Sequence, residues 1–359
     1  MSKFSIALLG LEQPHADYWQ VAFRNSPHCN FLGAWAQTPG LAKSKAEQFG
    51  YDAWEDRDAL IDAADAVAIC SVTTQHLELI EQAAKAGKKI LCEKPLATSM
   101  EHCDAIQSVL ESTGAYFMQS FPKRFDPVNH EIRRIIDSGD LGEVTLVRVR
   151  HGHPVGMLNP DFADTWFADP EQGGGGCLLD EGLHAADFVR WLFGEPEEVT
   201  CFTTDKGQNM KVEDTAVAIY RFANGMLAEV TSCWHFMAAE NSIEIFGTNG
   251  SIVVSGVDLG SRDVTEGGYL KYYIHPSAAD TGGDVLGPKD REWTISDIVP
   301  QFKADTEVFH RNVAAAFVNA IGKGEEPPIT ITDGRRAVEM IVAAYKSATS
   351  GRVEKVEYR

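Results

Sequence analysis

Ala66-Val67-Ala68-Ile69-Cys70 and Lys89-Ile90-Leu91-Cys92-Glu93-Lys94-Pro95 flank a helical pattern that runs from Leu77 to Ala86. Ala66 to Cys70 and, after Lys89, Ile90 to Cys92 are continuously apolar, as strands covered on both faces are. Two such strands joined through a helix lie parallel in one sheet. The rhythm extends in both directions. Phe4 to Leu9 reads as a strand ended by Gly10, His15 to Asn25 as a helix, Phe31 to Ala36 as a strand and Leu41 to Phe49 as a helix. Downstream, Met100 to Leu110 reads as a helix behind a Thr98-Ser99 cap, and Tyr116 to Phe121 as a strand. Alternation at this spacing is the signature of an α/β fold with a doubly wound parallel sheet.

Beyond a helix at Pro127 to Ser138 the pattern changes. Val144 to His151 reads as a strand, and a glycine-rich segment and a helix follow. Then come strands with no helix between them: Val199 to Thr204, Ala216 to Phe222, Met226 to Trp234, Ser242 to Phe246 and Ile252 to Ser255. Asn224-Gly225 and Asn249-Gly250 are tight-turn signals of antiparallel neighbours. Residues 256–300 read as irregular loops with one strand at Tyr269 to Ile274. Two amphipathic helices follow, one through Phe309, Val313, Phe317 and Ala320 and one through Ala337, Met340, Ile341 and Ala344, with Gly351 as a stop. The expected organisation is a Rossmann-type dinucleotide-binding domain over 1–123. An α+β domain with a large, mainly antiparallel sheet spans 124–359, for substrate binding and oligomerisation.

Acidic residues outnumber basic ones 52 to 32, and the net charge of −20 disfavours nucleic acid and anionic membranes as partners. The seven cysteines are scattered and form no Cys-x-x-Cys pair, so a reducing compartment and a cytoplasmic location are expected. No apolar run approaches membrane-spanning length.

Two stretches can carry chemistry. Gly173-Gly174-Gly175-Gly176 lets a ligand or another backbone approach closely, and the pattern after it is helical. With the helix beginning near Asp180, that residue, His184 and Asp187 share one face. A carboxylate beside an imidazole holds one tautomer for proton transfer, while a capping Asp180 and a buried structural His184 are the bland alternative. Glu93-Lys94-Pro95 directly follows a sheet strand, where open α/β folds place ligands, so Lys94 can project a cation into the crevice. His151 and His153, at the end of a second-domain strand, read as substrate contacts or surface histidines. A metal site formed by them with Asp180 and His184 is weighed, but no metal is expected. Trp166, Phe167 and Trp234 are candidates for stacking on an apolar face of a ligand ring, against core packing as the commoner fate. Lys123 and Arg124 at the domain junction are candidate substrate contacts or a solvated pair.

Taken together, these motifs resemble the Gfo/Idh/MocA oxidoreductases (glucose–fructose oxidoreductase and inositol dehydrogenase). The resemblance runs through Asp65-Ala66-Val67-Ala68-Ile69, Glu93-Lys94-Pro95, Gly139-Asp140-Leu141-Gly142-Glu143, Gly174 to Asp187, Glu213-Asp214-Thr215-Ala216, Gly247-Thr248-Asn249-Gly250 and Asp333-Gly334-Arg335-Arg336-Ala337. It implies an NAD(P)-dependent oxidoreductase moving a hydride between nicotinamide and a sugar, cyclitol or related polyol carbinol. Lys94, Asp180 and His184 would surround the reacting carbon. His184 would take the hydroxyl proton, Lys94 would stabilise alkoxide character, and Asp180 would orient His184 or bind a neighbouring hydroxyl; Asp187 would be structural. The dinucleotide would lie against Gly10, Leu11, Glu12, Gln13, His15, Gln37, Ser71, His76 and Glu93.

The first turn, Gly10-Leu11-Glu12-Gln13-Pro14-His15, departs from the dinucleotide fingerprint by keeping only its first glycine. Ala36 stands where an acidic residue ordinarily binds the adenosine ribose, and no arginine is evident to receive a 2′-phosphate. NAD and NADP are both open. Two alternatives share the scaffold: an epimerase, lyase or glycosidase acting by transient oxidation on tightly held nucleotide, and a non-catalytic sugar-binding protein. The open antiparallel sheet implies a homodimer or homotetramer.

Overall fold

The computed structural model describes residues 3–260, 268–275, 292–301 and 306–359. In chain order the first half comprises β1 (Phe4–Leu9), α1 (Ala16–Arg24), β2 (Cys29–Trp35), α2 (Leu41–Phe49), α3 (Arg57–Ala63), β3 (Ala66–Ile69), α4 (His76–Lys85), β4 (Lys89–Cys92), α5 (Met100–Thr113) and β5 (Phe117–Gln119). The strands form a parallel sheet in the order β2-β1-β3-β4-β5. Beyond β2 a single parallel bridge, Ala34 to Ala53, marks a sixth strand reduced to one residue. The sheet is therefore a Rossmann-type layer whose order reverses between β1 and β3, where such folds bind ligands.

Successive residues of β1 point to opposite faces. Ile6 and Leu8 join Trp19 and Phe23 of α1, while Ala7 and Leu9 join Leu60, Leu79 and Ile80 on the other side. A fully buried phenylalanine such as Phe23 contributes roughly 1.5–3 kcal/mol through the water it sheds. Ser99 caps α5 by accepting the His102 N–H, as its position before the helical run implied. Helix α3 has no counterpart in the sequence reading, because seven residues are too few for a repeating apolar face to stand out.

The second half comprises α6 (Pro127–Asp137), β6 (Val144–His151), α7 (Val155–Leu158), α8 (Leu183–Phe193), β7 (Glu198–Thr204), β8 (Thr215–Arg221), β9 (Leu227–Cys233), β10 (Asn241–Gly247), β11 (Gly250–Ser255), β12 (Leu270–Ile274), β13 (Thr294–Ser296), α9 (Ile298–Gln301), α10 (Thr306–Lys323), α11 (Ile331–Ser350) and β14 (Glu354–Lys355). Its nine strands run β13-β12-β11-β10-β6-β9-β8-β7-β14, antiparallel throughout except for the β6–β9 pair. The inward residues Val147, Val149, Ala218, Val230 and Ile245 pack with Phe188 of α8 and Met340 of α11. Residues 261–267 and 276–291 of the stretch read as loops lie outside the described residues.

Helix α10 returns to the first domain, where its Val313 and Phe317 share a cluster with Trp19 and Phe23. Helix α11 starts with a Thr330–Asp333 capping box and stops at Gly351, which adopts φ +65°. Arg124 forks onto Asp187 at 2.6 and 2.9 Å and reaches Asp333, which also accepts from Arg190. Arg124 thus ties α8 and α11 to the junction, its guanidinium engaged by two carboxylates. Asp187, its partner, has a structural part.

Candidate active site

Lys94 leaves the carboxyl end of β4 and lies buried, its ammonium donating to Asp180 Oδ1 at 2.6 Å and to the Asp180 carbonyl at 2.9 Å. Burial opposes that charge, but Asp180, with Glu181 behind it, outweighs burial and holds the Lys94 pKa above its ordinary value. The turn is fixed from behind. Glu93 accepts Trp19 Nε1–H at 2.7 Å and the Lys94 N–H at 2.9 Å, with His15 and His310 at 3.4 and 3.3 Å. Although burial resists its charge, the His15 imidazole, followed by His310, keeps the Glu93 carboxyl well below the usual range. His76 is buried, and its Nδ1 bonds the Pro95 carbonyl at 3.0 Å. Glu93 and His76, both expected to touch the dinucleotide, therefore support the lysine turn from inside the protein.

Asp180 comes from the second domain on a wide π-type turn, Leu178–Gly182, that leads into α8. Such turns re-aim side chains at functional sites. The helix begins three residues later than the spacing suggested. The glycines before it serve backbone approach. A Cβ on Gly176 would lie 1.9 Å from the Glu213 carbonyl, and the Glu213 carboxylate accepts the Gly176 and Leu178 N–H groups. The other Asp180 oxygen accepts Trp234 Nε1–H at 3.3 Å. Trp234 is fully buried, so it positions Asp180 and offers no face to a sugar.

His184 is 4% exposed on the first turn of α8. Burial, then the Lys94 charge, depresses its pKa well below the ordinary value, so the ring is neutral and able to accept a proton. Its Nδ1 is buried without a hydrogen-bond partner. No hydrogen bond joins Asp180 to His184 among the described residues. Asp180 holds Lys94, and the orienting role expected of it toward His184 is not what the geometry provides.

Lys94, Asp180 and His184 line one crevice of about 380 Å³. Lys123, His151 and His153 line it too. Lys123 sits 4.7 Å from the Phe309 ring. The His151 ring lies 5.0 Å from that of His184. The partners of His151 and His153 are Glu181 and Asp258, not Asp180 and His184. Their Nε2 atoms face Glu181 at 3.3 and 3.7 Å, and their Nδ1 atoms face Asp258 at 3.3 and 3.1 Å. Sequence reasoning left Glu181 unassigned inside a quoted motif and lost Asp258 in the stretch read as loops. Trp166 stacks on Phe167 at 3.9 Å and donates to the Glu12 carbonyl, so it bridges the domains beside this crevice.

The first turn lies at the β1–β3 reversal. Gly10 adopts φ +85°, and a Cβ there would lie 2.5 Å from Ser71, so only glycine lets the two loops touch. Ser71 is buried and donates to the Val72 carbonyl, so it forms the wall of the reversal behind Gly10. Leu11 is also buried, while Gln13 and His15 line the crevice. Glu12 folds across the turn, one carboxylate oxygen accepting the Leu11 N–H and the other the Thr38 N–H, each at 2.9 Å. Gln37 is exposed at the end of β2 in a surface pocket with Trp35 and Arg57. These residues fit a dinucleotide laid across the reversal, with the Glu12 carboxylate where a glycine backbone ordinarily stands.

Comparison with known proteins agrees with this geometry. Residues 4–121 match the model of an oxidoreductase family with an NAD-binding Rossmann fold, and residues 129–253 match the GFO/IDH/MocA C-terminal domain. Inositol 2-dehydrogenase of Rhizobium meliloti is 28% identical over 88% of this chain and 88% of its own length. Myo-inositol 2-dehydrogenase of Thermotoga maritima is 26% identical over 87% and 86%. The crystal structure of aldose-aldose oxidoreductase from Caulobacter crescentus, complexed with glycerol, superposes with a TM-score of 0.80 at 25% identity, covering 98% and 99% of the two chains. Among the described residues, no helix is long and apolar enough to cross a membrane.

Proposed function

This chain belongs to the Gfo/Idh/MocA family of NAD-binding oxidoreductases, and from that premise we propose that its crevice oxidises one secondary carbinol of a cyclitol, sugar or related polyol. The observation that carries this reading is the convergence of a buried ammonium from β4 and a neutral imidazole from α8 on one crevice. Relatives named for inositol support the substrate class.

A nicotinamide bound at the β1–β3 reversal supplies the hydride acceptor. His184 takes the hydroxyl proton, for which its neutral ring has a free lone pair. Lys94 uses two N–H groups on Asp180 and turns its third to the carbinol oxygen, favouring alkoxide character as it develops. Asp180, fixed by Trp234, keeps that ammonium charged and aimed. Lys123, His151 and His153 form the wall that the remaining hydroxyls face. Turnover of NAD with a polyol panel, scored by reduced nicotinamide, tests the assignment. Nucleotide binding without reduction of NAD by any member counts against it.

The reading favours NAD over NADP. Glu12 brings a carboxylate to the end of β2, and the pocket beyond Gln37 is lined by Glu55, Asp56, Asp58 and Glu78. Its arginine, Arg57, stacks on Trp35 at 5.0 Å and pairs with Glu78 at 2.9 Å. A 2′-phosphate there meets like charge. Fluorescence titration is expected to give an NAD Kd at least about tenfold below that for NADP, and Glu12→Ala is expected to narrow the ratio by about tenfold. An unchanged ratio in Glu12→Ala removes Glu12 from the explanation.

The outer face of the large sheet supports self-association into a dimer or tetramer. Phe202, Ile219 and Leu227 are 76%, 39% and 40% exposed there, beside Arg148 paired with Glu229 and Glu244. Light scattering is expected to show an oligomer, and Phe202→Glu with Ile219→Glu to give monomers. A monomeric wild type at micromolar concentration contradicts this.

A further inference from the structure

We propose that His151, His153 and Glu181 bind one divalent transition-metal ion, zinc(II) or a first-row ion with the same ligand preference, in the wall of the crevice. One ligand atom from each of the three residues can be chosen so that all lie within 4.8 Å of one another. The Glu181 carboxylate lies 3.3 Å from His151 Nε2 and 3.7 Å from His153 Nε2. Ligand atoms about 2.0–2.2 Å from a tetrahedral zinc stand roughly 3.3–3.6 Å apart, close to these two separations, so the three side chains need only draw in around the ion.

Asp258 supplies the outer support. It is 1% exposed, and its two oxygens face His151 Nδ1 at 3.3 Å and His153 Nδ1 at 3.1 Å. One carboxylate thus orients two imidazoles through their Nδ1 atoms, so that both Nε2 lone pairs converge. This is the carboxylate–histidine–metal arrangement of bound sites. Without a cation, all four ring nitrogens of the pair face carboxylate oxygens. A neutral imidazole has one N–H, so each neutral ring would aim a lone pair at a lone pair. A metal ion shared by the two Nε2 atoms, or a proton added to one ring, resolves that conflict.

The exposure pattern leaves a working face. His151 and Glu181 side chains are 1% and 7% exposed, while that of His153 is 37% exposed. Three protein ligands leave a fourth position and, on expansion to five-coordination, a fifth, for water or two substrate oxygens. These positions neighbour the site of proton removal, because His151 packs edge-on against His184. The ligand chemistry that fits is a pair of vicinal oxygens on a polyol, chelated by the ion beside Lys94 and His184. The nearby ammonium groups oppose a cation, but Lys94 is already paired with Asp180, and Glu181 and Asp258 supply two further carboxylates. Ion binding itself stands independently of the carbinol-oxidising reading.

The test uses the full chain, stripped with a chelator and titrated with ZnCl2 by calorimetry and with CoCl2 by visible absorption. One equivalent per chain is expected, with cobalt bands of a four- or five-coordinate site that zinc abolishes. Glu181→Gln and His151→Asn are each expected to weaken cobalt binding at least about 100-fold, and Asp258→Asn about 10–100-fold. No stoichiometric ion in the wild type overturns the site, a result that does not depend on any variant folding. Full cobalt affinity in both Glu181→Gln and His151→Asn, or an anomalous zinc peak elsewhere in crystals, overturns it as well. Nucleotide affinity measured before and after stripping separates the outcomes. Loss of the ion with NAD reduction retained leaves the oxidoreductase reading intact. A bound ion with no NAD reduction leaves the metal site intact.

Discussion

Lys94→Ala is expected to lower kcat/KM for the polyol by about 1,000-fold or more, with nucleotide affinity changed only a few-fold. The size follows from where the ammonium sits. It is 3% exposed, and in such surroundings a charge aimed at a developing alkoxide acts with little screening by water. The geometry also says which replacement cannot rescue. Lys94→Arg keeps the charge but brings a planar fork into a turn packed around a single nitrogen, with Asp180 on one side and Glu93 behind. It too is expected to be nearly inactive. Steady-state kinetics beside a thermal melt and an NAD titration separate this from unfolding, since loss of a partner for Asp180 also costs stability. Near-normal turnover in Lys94→Ala removes the lysine from the chemistry.

The second large effect belongs to His184. His184→Ala is expected to lower kcat/KM by about 100- to 10,000-fold, the usual range for a positioned general base. The wild-type pH profile carries the sharper signature. Burial, then Lys94, lowers the His184 pKa, so protonation of the ring begins only well below its ordinary value of 6.5. The base form is therefore complete through neutral pH, and activity falls only as pH drops through that depressed pKa. The alkaline limit belongs to Lys94, whose pKa lies above 10.5. The expected profile is a broad plateau across neutral and mildly alkaline pH. An acid limb centred near or above 6.5 contradicts the assignment of His184 as the base.

These residues were legible because their signals are local. Lys94 follows a continuously apolar strand, and the place just past such a strand is fixed by the fold type. Asp180, His184 and Asp187 carry helical spacing that any reader of periodicity can recover, although the π-type turn delays the helix and turns Asp180 toward Lys94. What stayed hidden lies in contacts between distant segments. Trp234 meets Asp180 across the end of β9, Glu93 is enclosed by Trp19 and His310, and Asp258 reaches His151 and His153 from a stretch with no periodic pattern. No spacing rule connects residue 258 to residue 151, so the cluster needs three dimensions to be seen. Glu12 is a mixed case. Its departure from the glycine pattern is plain in the sequence, but its two hydrogen bonds to Leu11 and Thr38 are not.

The central claim is that the crevice hands a carbinol hydride to nicotinamide while His184 takes the proton. The most direct measurement supplies NAD and a cyclitol or sugar panel deuterated at carbon, then follows the label by mass spectrometry. Deuterium appearing in the reduced nicotinamide, one atom per carbonyl formed, with the rate lowered by the label and the transfer slowed at least about 100-fold in Lys94→Ala and His184→Ala, is the predicted result. Carbonyl formation without label in the nucleotide, or undiminished transfer in those variants, contradicts it.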